Sequence, residues 1–112
     1  MRSALKYFAA AGLVLAPGSV LGADYFAGKT ITVEVPSGSG GTYHVYCQIV
    51  QYNLGRHIPG NPSMIIKNRP GAGGLVSASY MANVAKKDGT EIAMIAPGTL
   101  TLPLMRKVKF DG

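Results

Sequence analysis

An α/β fold with a parallel sheet, in the order β-α-β-α-β, is what this sequence predicts. Three observations predict it. Three short runs are rich in β-branched or apolar residues, two longer stretches carry helical spacing between them, and glycine-rich turns join strand to helix. Such alternation with short connections calls for right-handed crossovers and helices on the faces of the sheet.

The elements follow in order. Lys29 to Val35 (KTITVEV) is β-branched and bounded by Gly28 and Pro36, which reads as a strand. Ser37 to Thr42 (SGSGGT) is a glycine loop. From Tyr43 to His57 the apolar residues Val45, Ile49, Val50 and Leu54 recur at helical spacing. Gly55, Pro59 and Gly60 stop that helix. Ser63 to Lys67 (SMIIK) reads as a short second strand, and Asn68 to Gly74 (NRPGAGG) as a second glycine-rich turn. Leu75 to Ala85 reads as a second helix with Leu75, Tyr80, Met81 and Val84 inward. Lys86 to Gly89 is a turn, and Glu91 to Ala96 (EIAMIA) a third strand. Pro97 to Gly112 reads as a loop followed by a short helix. Its Leu100, Leu102, Leu104 and Met105 are candidates for an exposed apolar patch.

The first 23 residues stand apart from this fold. Arg2 and Lys6 precede an apolar run from Tyr7 to Ala16, Pro17 and Gly18 break it, and small residues follow at Gly22 and Ala23. That is the layout of a secretory signal peptide cleaved after Ala23 or Gly22. The run is shorter than the ~20 residues a membrane-spanning helix needs. An exported chain of about 89 residues remains, carrying about +4 of the whole chain's +6. Its basic residues are scattered rather than interleaved with aromatics, so nucleic-acid binding is not indicated. A mildly positive surface suits a protein that collects anions. Cys47 is the single cysteine, so no intramolecular disulfide can form.

Ligands of open parallel sheets lie at the carboxyl ends of the strands. Here those ends are Pro36 to Tyr43, Asn68 to Gly74, and Ala96 to Thr101, all rich in Gly, Ser or Thr. Glycine lets backbone N–H groups approach a ligand closely, and the following helix aims its dipole at negative charge. Gly38, Gly40 and Gly41 meet that need, with hydroxyls from Ser37, Ser39 and Thr42; a carboxylate is the natural occupant. A plain turn, in which glycine merely supplies positive φ, is the alternative.

Nucleotide motifs fail in detail: Tyr43 stands where a dinucleotide fingerprint would need its third glycine, and no P-loop occurs. His44 and His57 are thirteen apart without a carboxylate cluster, so no metal site and no cofactor are expected. Cys47 lies three residues after His44, which would permit a nucleophile pair, but a small buried thiol is the commoner use. No enzyme is expected.

The succession Lys29-Thr-Ile-Thr-Val-Glu-Val-Pro36, Gly40-Gly41, Asn68-Arg-Pro-Gly-Ala-Gly-Gly74 and Lys87-Asp-Gly-Thr90 resembles the Bug family, the substrate-binding proteins of tripartite tricarboxylate transporters. The resemblance runs from Ala27 to Gly112. It implies a periplasmic protein with a two-lobed, periplasmic-binding-protein-like (type II) fold, of which residues 24–112 would form an incomplete N-terminal part of the first lobe. It implies a di- or tricarboxylate or related small organic anion as ligand and inner-membrane permease subunits as partners. In that family the first glycine loop and the loop after the third strand grip a carboxylate, largely through backbone groups and ordered water. Carried over, the ligand-binding residues are Ser37, Gly38, Ser39, Gly40, Gly41, Thr42, Tyr43 and His44, with Ala96, Pro97, Gly98 and Thr99. Asn68, Arg69, Pro70, Gly71, Ala72, Gly73 and Gly74 would shape the cleft.

Two departures from the family bear on this. His44 stands where members usually carry an aspartate, which would favour a more anionic ligand unless the side chain merely faces solvent. Family members are also far longer, so a one-jawed clamp of 112 residues is expected to bind more weakly than micromolar. An exported sensor or interaction module reporting to a membrane partner is the competing reading, and a small hydrolase using Cys47 and His44 a distant third.

Overall fold

The computed structural model describes residues 25–108, so the expected signal segment, residues 1–23, lies outside them. β1 (Thr30–Val35) is the middle strand of a three-stranded sheet, with β2 (Ser63–Asn68) on one side and β3 (Glu91–Ala93) on the other. Both pairings are parallel. Thr30 faces Ser63 at one end of the β1–β2 ladder and Val35 faces Asn68 at the other, while Thr32 to Glu34 pair with Glu91 to Ala93. α1 (Thr42–Leu54) connects β1 to β2, and α2 (Leu75–Asn83) connects β2 to β3. This is the interleaved α/β order expected from the sequence, and it is consistent with part of a periplasmic-binding-protein-like lobe.

Alternation along β1 divides its side chains between two faces. Ile31, Val33 and Val35 are buried on one, against Cys47 of α1 and Met64 of β2, with Tyr43, Val50 and Ile66 partly buried around them. Burying each such aliphatic side chain is worth roughly 1.5–3 kcal/mol. Glu34 points to the other face, where it meets Arg69, and the Arg69 guanidinium lies 3.6 Å over the ring of Tyr80 on α2. The two helices therefore cover opposite faces of the sheet.

The inward face of α1 is not the side that carries Val45 and Ile49. Cys47 is buried and Tyr43 and Val50 half-buried, whereas Val45 and Ile49 are 48% and 56% exposed and Leu54 lies at the margin. Residues 43, 47, 50 and 54 also recur at helical spacing, so α1 is apolar on two sides. Only contact with β1 decides which side turns inward. On α2, Leu75, Tyr80 and Met81 are half-buried, but Ser77 and Ala78 form the buried stripe. Val84 is 69% exposed because the helix has already ended, with Val84 at φ −122. β3 is shorter than its apolar run, although the Met94 N–H still reaches the Glu34 carbonyl at 3.1 Å. Beyond it lie a 3-10 turn at Pro97–Leu100 and the four-residue α3 (Leu102–Met105). There Leu100, Leu104 and Met105 are exposed as expected, while Leu102 is half-buried. No helix among the described residues is long and apolar enough to cross a membrane.

The opposite end of the sheet is closed by the first described residues. The Tyr25 hydroxyl donates to the Asp88 carbonyl at 2.8 Å, Lys29 Nζ sits 3.2 Å over the Tyr25 ring, and Phe26 meets that ring edge-on.

The assignment of the α1 faces has a direct test. Ile31→Ala should lose about 2–5 kcal/mol in urea unfolding, and Ile49→Ala should change stability by no more than about 0.5 kcal/mol. Comparable losses at the two positions would mean that Ile49 is packed inside.

Candidate functional site

The strand order β2-β1-β3 marks where a site would be sought. The chain moves from β1 to one side and then returns to the other, so its direction reverses at β1 and β3. In open parallel sheets ligands bind in the crevice above the carboxyl ends of the strands at such a reversal. The two segments that flank it here are residues 36–43 and 94–101, which contain the two predicted ligand loops.

The first loop is built to expose backbone donors. Gly40 has φ +85, Gly41 is extended at φ −75 and ψ 165, and the Gly41 N–H reaches back to the Gly38 carbonyl at 3.5 Å. α1 then begins without a side-chain cap and without an acidic residue in its first turn. The Val45 N–H is the first to find a helical acceptor, on Gly41 at 3.1 Å. The N–H groups of Thr42, Tyr43 and His44 have no acceptor among the hydrogen bonds of the described residues. Those unpaired donors and the positive end of a 13-residue helix make a fitting seat for an anion. Gly38 adds access, since nothing lies within 4 Å of where a Cβ would stand.

The other predicted segments converge on this loop. Asn68 Nδ2 donates to the Ser37 carbonyl at 2.8 Å, and the Arg69 N–H to the Val35 carbonyl at 2.8 Å. Gly74, at φ +98, caps α2 at the point where all three loops meet. A Cβ there would lie 2.9 Å from Ala96 Cβ, 3.2 Å from Thr99 Oγ1 and 3.5 Å from Pro36 Cβ. Pro97 and Gly98 are exposed at the rim. The turn from Gly71 to Gly74 is mostly self-satisfied, because the N–H groups of Gly74 and Val76 both bond to the Gly71 carbonyl.

Several predicted side chains take unexpected positions. Thr99 is only 1% exposed, so its hydroxyl faces inward rather than into the crevice. His44 does not simply face solvent either: it is half-buried, with Nδ1 inside and without a hydrogen-bond partner. Arg69 is engaged by Glu34, through Nε at 2.9 Å and a second guanidinium nitrogen at 3.3 Å, and this pairing raises its pKa further. Glu34 was not singled out by sequence, because a lone acid in a β-branched strand reads as an outward-facing residue. The Tyr80 hydroxyl donates to Glu91 at 2.9 Å, a bond that raises the Tyr80 pKa. A cavity of about 230 Å³ on the flank of α2, lined by Leu75, Ser79, Arg106, Lys107 and Val108, lies outside both predicted ligand loops.

Cys47 is 1% exposed in the core, and burial pushes its thiol pKa up, the opposite of what a nucleophile needs. Among the described residues no group of three His, Cys, Asp or Glu is placed to hold a metal ion.

The fold is thus a small α/β one with an open three-stranded parallel sheet, consistent with part of a periplasmic-binding-protein-like lobe. No family model matches the chain. It is similar to a UPF0065 protein in gbd 5'region from Cupriavidus necator, with 32% identity over 103 residues, or 92% of this chain. The chain spans 30% of the length of that curated relative.

Two outcomes follow from this geometry. Gly74→Ala should destabilise by about 1–3 kcal/mol through its positive φ and its neighbours, whereas Gly38→Ala should stay within about 0.5 kcal/mol in the same thermal unfolding series. Alkylation of Cys47 by iodoacetamide at neutral pH should be at least roughly 100-fold slower in the folded protein than in urea.

Proposed function

We propose that this chain is part of a Bug-family solute-binding protein, exported to the periplasm, that captures a small carboxylate for a tripartite tricarboxylate transporter. UPF0065 is another designation of the Bug family, so the similarity to the Cupriavidus necator protein supports the same reading as the glycine-turn motifs. The observation that carries the ligand class is the start of α1. Three backbone N–H groups lacking acceptors among the described residues, an open glycine approach and no carboxylate in the first turn all favour a negatively charged guest. A carboxylate would sit above the Gly38–Gly41 turn and accept from the N–H groups of Thr42, Tyr43 and His44. The 94–101 segment would form the opposite wall. Delivery would be to inner-membrane permease subunits, with no chemical change to the ligand.

The exposed outer side of α1, with Val45, Tyr46, Ile49 and Tyr52, favours a second reading, an exported interaction module. A ¹⁵N NMR titration with succinate and citrate separates the two, with the uncharged succinamide as control. The carboxylate reading expects the amides of Gly38 to His44 to shift with a Kd of roughly 1 mM, about −4 kcal/mol, and not to respond to succinamide. Equal responses to the acids and the diamide, or none at that loop, would rule the reading out.

A further inference from the structure

We infer that Asn68 is a positioning residue for the first glycine loop, held in place by a polar chain that crosses the face of the sheet under α2. The inference rests on the carboxylate reading for its purpose, but its geometry stands without it. Asn68 ends β2, and its side-chain amide donates to the Ser37 carbonyl at 2.8 Å, across 31 residues of sequence. That bond is a side-chain tie between the β2–α2 turn and the loop. The other hydrogen bond of Ser37 among the described residues is local, its hydroxyl donating to the Gly38 carbonyl at 3.3 Å. A loop with three glycines in five residues has little intrinsic preference for one conformation, so its shape must be imposed from outside. Asn68 imposes it at the residue where the loop leaves β1.

Asn68 is itself fixed by its neighbour. The Arg69 N–H bonds to the Val35 carbonyl, and its guanidinium grips Glu34, a carboxylate with no exposed surface. The guanidinium also lies over the Tyr80 ring, and the Tyr80 hydroxyl bonds to Glu91 on β3. A chain of four side chains thus runs from β1 through the β2–α2 turn and α2 to β3. It ties the turn to all three strands, and Asn68 passes that fixed position to the ligand loop. Ordering the loop before binding spares the ligand that entropic cost, which is the source of affinity by pre-organisation.

The test uses Asn68→Ala and the volume-conserving double variant Glu34→Leu/Arg69→Met in ¹⁵N-labelled protein. Without ligand, Asn68→Ala should shift the Gly38, Gly40 and Gly41 amide resonances, while the melting temperature falls by no more than the few degrees expected for one lost hydrogen bond. The double variant should move the same amides. With succinate as probe, Asn68→Ala should weaken binding by roughly five- to tenfold. Unchanged glycine amides in Asn68→Ala would overturn the inference whatever succinate does, and unchanged amides in the double variant would overturn the role of the Glu34–Arg69 pair. A wild-type protein indifferent to succinate and citrate would instead sink the carboxylate reading, leaving the ligand-free result to decide the positioning role.

Discussion

Glu34 is a carboxylate with no exposed surface on the central strand of the sheet, and the polar half of the molecule is organised around keeping it paired. An isolated charge in that position would cost several kcal/mol in lost hydration, and removing one partner of such a pair typically costs about 3–5 kcal/mol. Arg69 meets the demand with two hydrogen bonds, yet its own side chain remains 31% exposed, so the pair lies at the boundary between core and solvent. That placement matters for the fold. The aliphatic face of β1 is covered by side-chain packing against α1 and β2. The Glu34 face is met instead by one residue, Arg69, whose side chain reaches over the strand from the start of the glycine turn that follows β2.

The two faces of the sheet therefore do different work. Under α1 lies a small aliphatic core of Ile31, Val33, Val35, Cys47 and Met64. Under α2 lies a set of specific polar contacts that link the strands and fix the ends from which the loops depart. Area burial supplies most of the free energy, but it is indifferent to register at the scale of a ligand contact. Charge-assisted bonds supply less net stability and more definition. The crevice at the reversal of strand order inherits that definition, because its loops leave strands whose ends are fixed by side chains as well as by the backbone ladder.

Much of this was legible in the sequence where local rules act alone. β1, β2 and both helices were placed within a few residues by β-branched composition, helical spacing and the glycine turns, and the carboxyl-end rule indicated the loops that converge on Gly74. The sequence was ambiguous where two answers satisfied the same pattern. α1 carries apolar stripes on two sides, so spacing could not choose between Val45 with Ile49 and Cys47 with Val50. It was silent where the contact is distant. Asn68 and Ser37 are 31 residues apart and Arg69 and Glu34 are 35 apart, and no periodicity joins an amide to a carbonyl or a guanidinium to an acid on another strand. Thr99 illustrates the same limit: it is buried beside Gly74, a position 25 residues earlier in the chain.

The aromatic closure at Tyr25 and Phe26 fixes where the chain enters the fold. Tyr25 bonds to Asp88, in the turn that leads into β3, so this contact lies at the amino ends of the strands while the glycine loops lie at the carboxyl ends. A six-residue strand separates those ends by about 20 Å. A tether, fusion partner or affinity tag joined ahead of Tyr25 would attach on the side facing away from the crevice. The protein can thus be anchored to a surface by that end with its loops still open to solution.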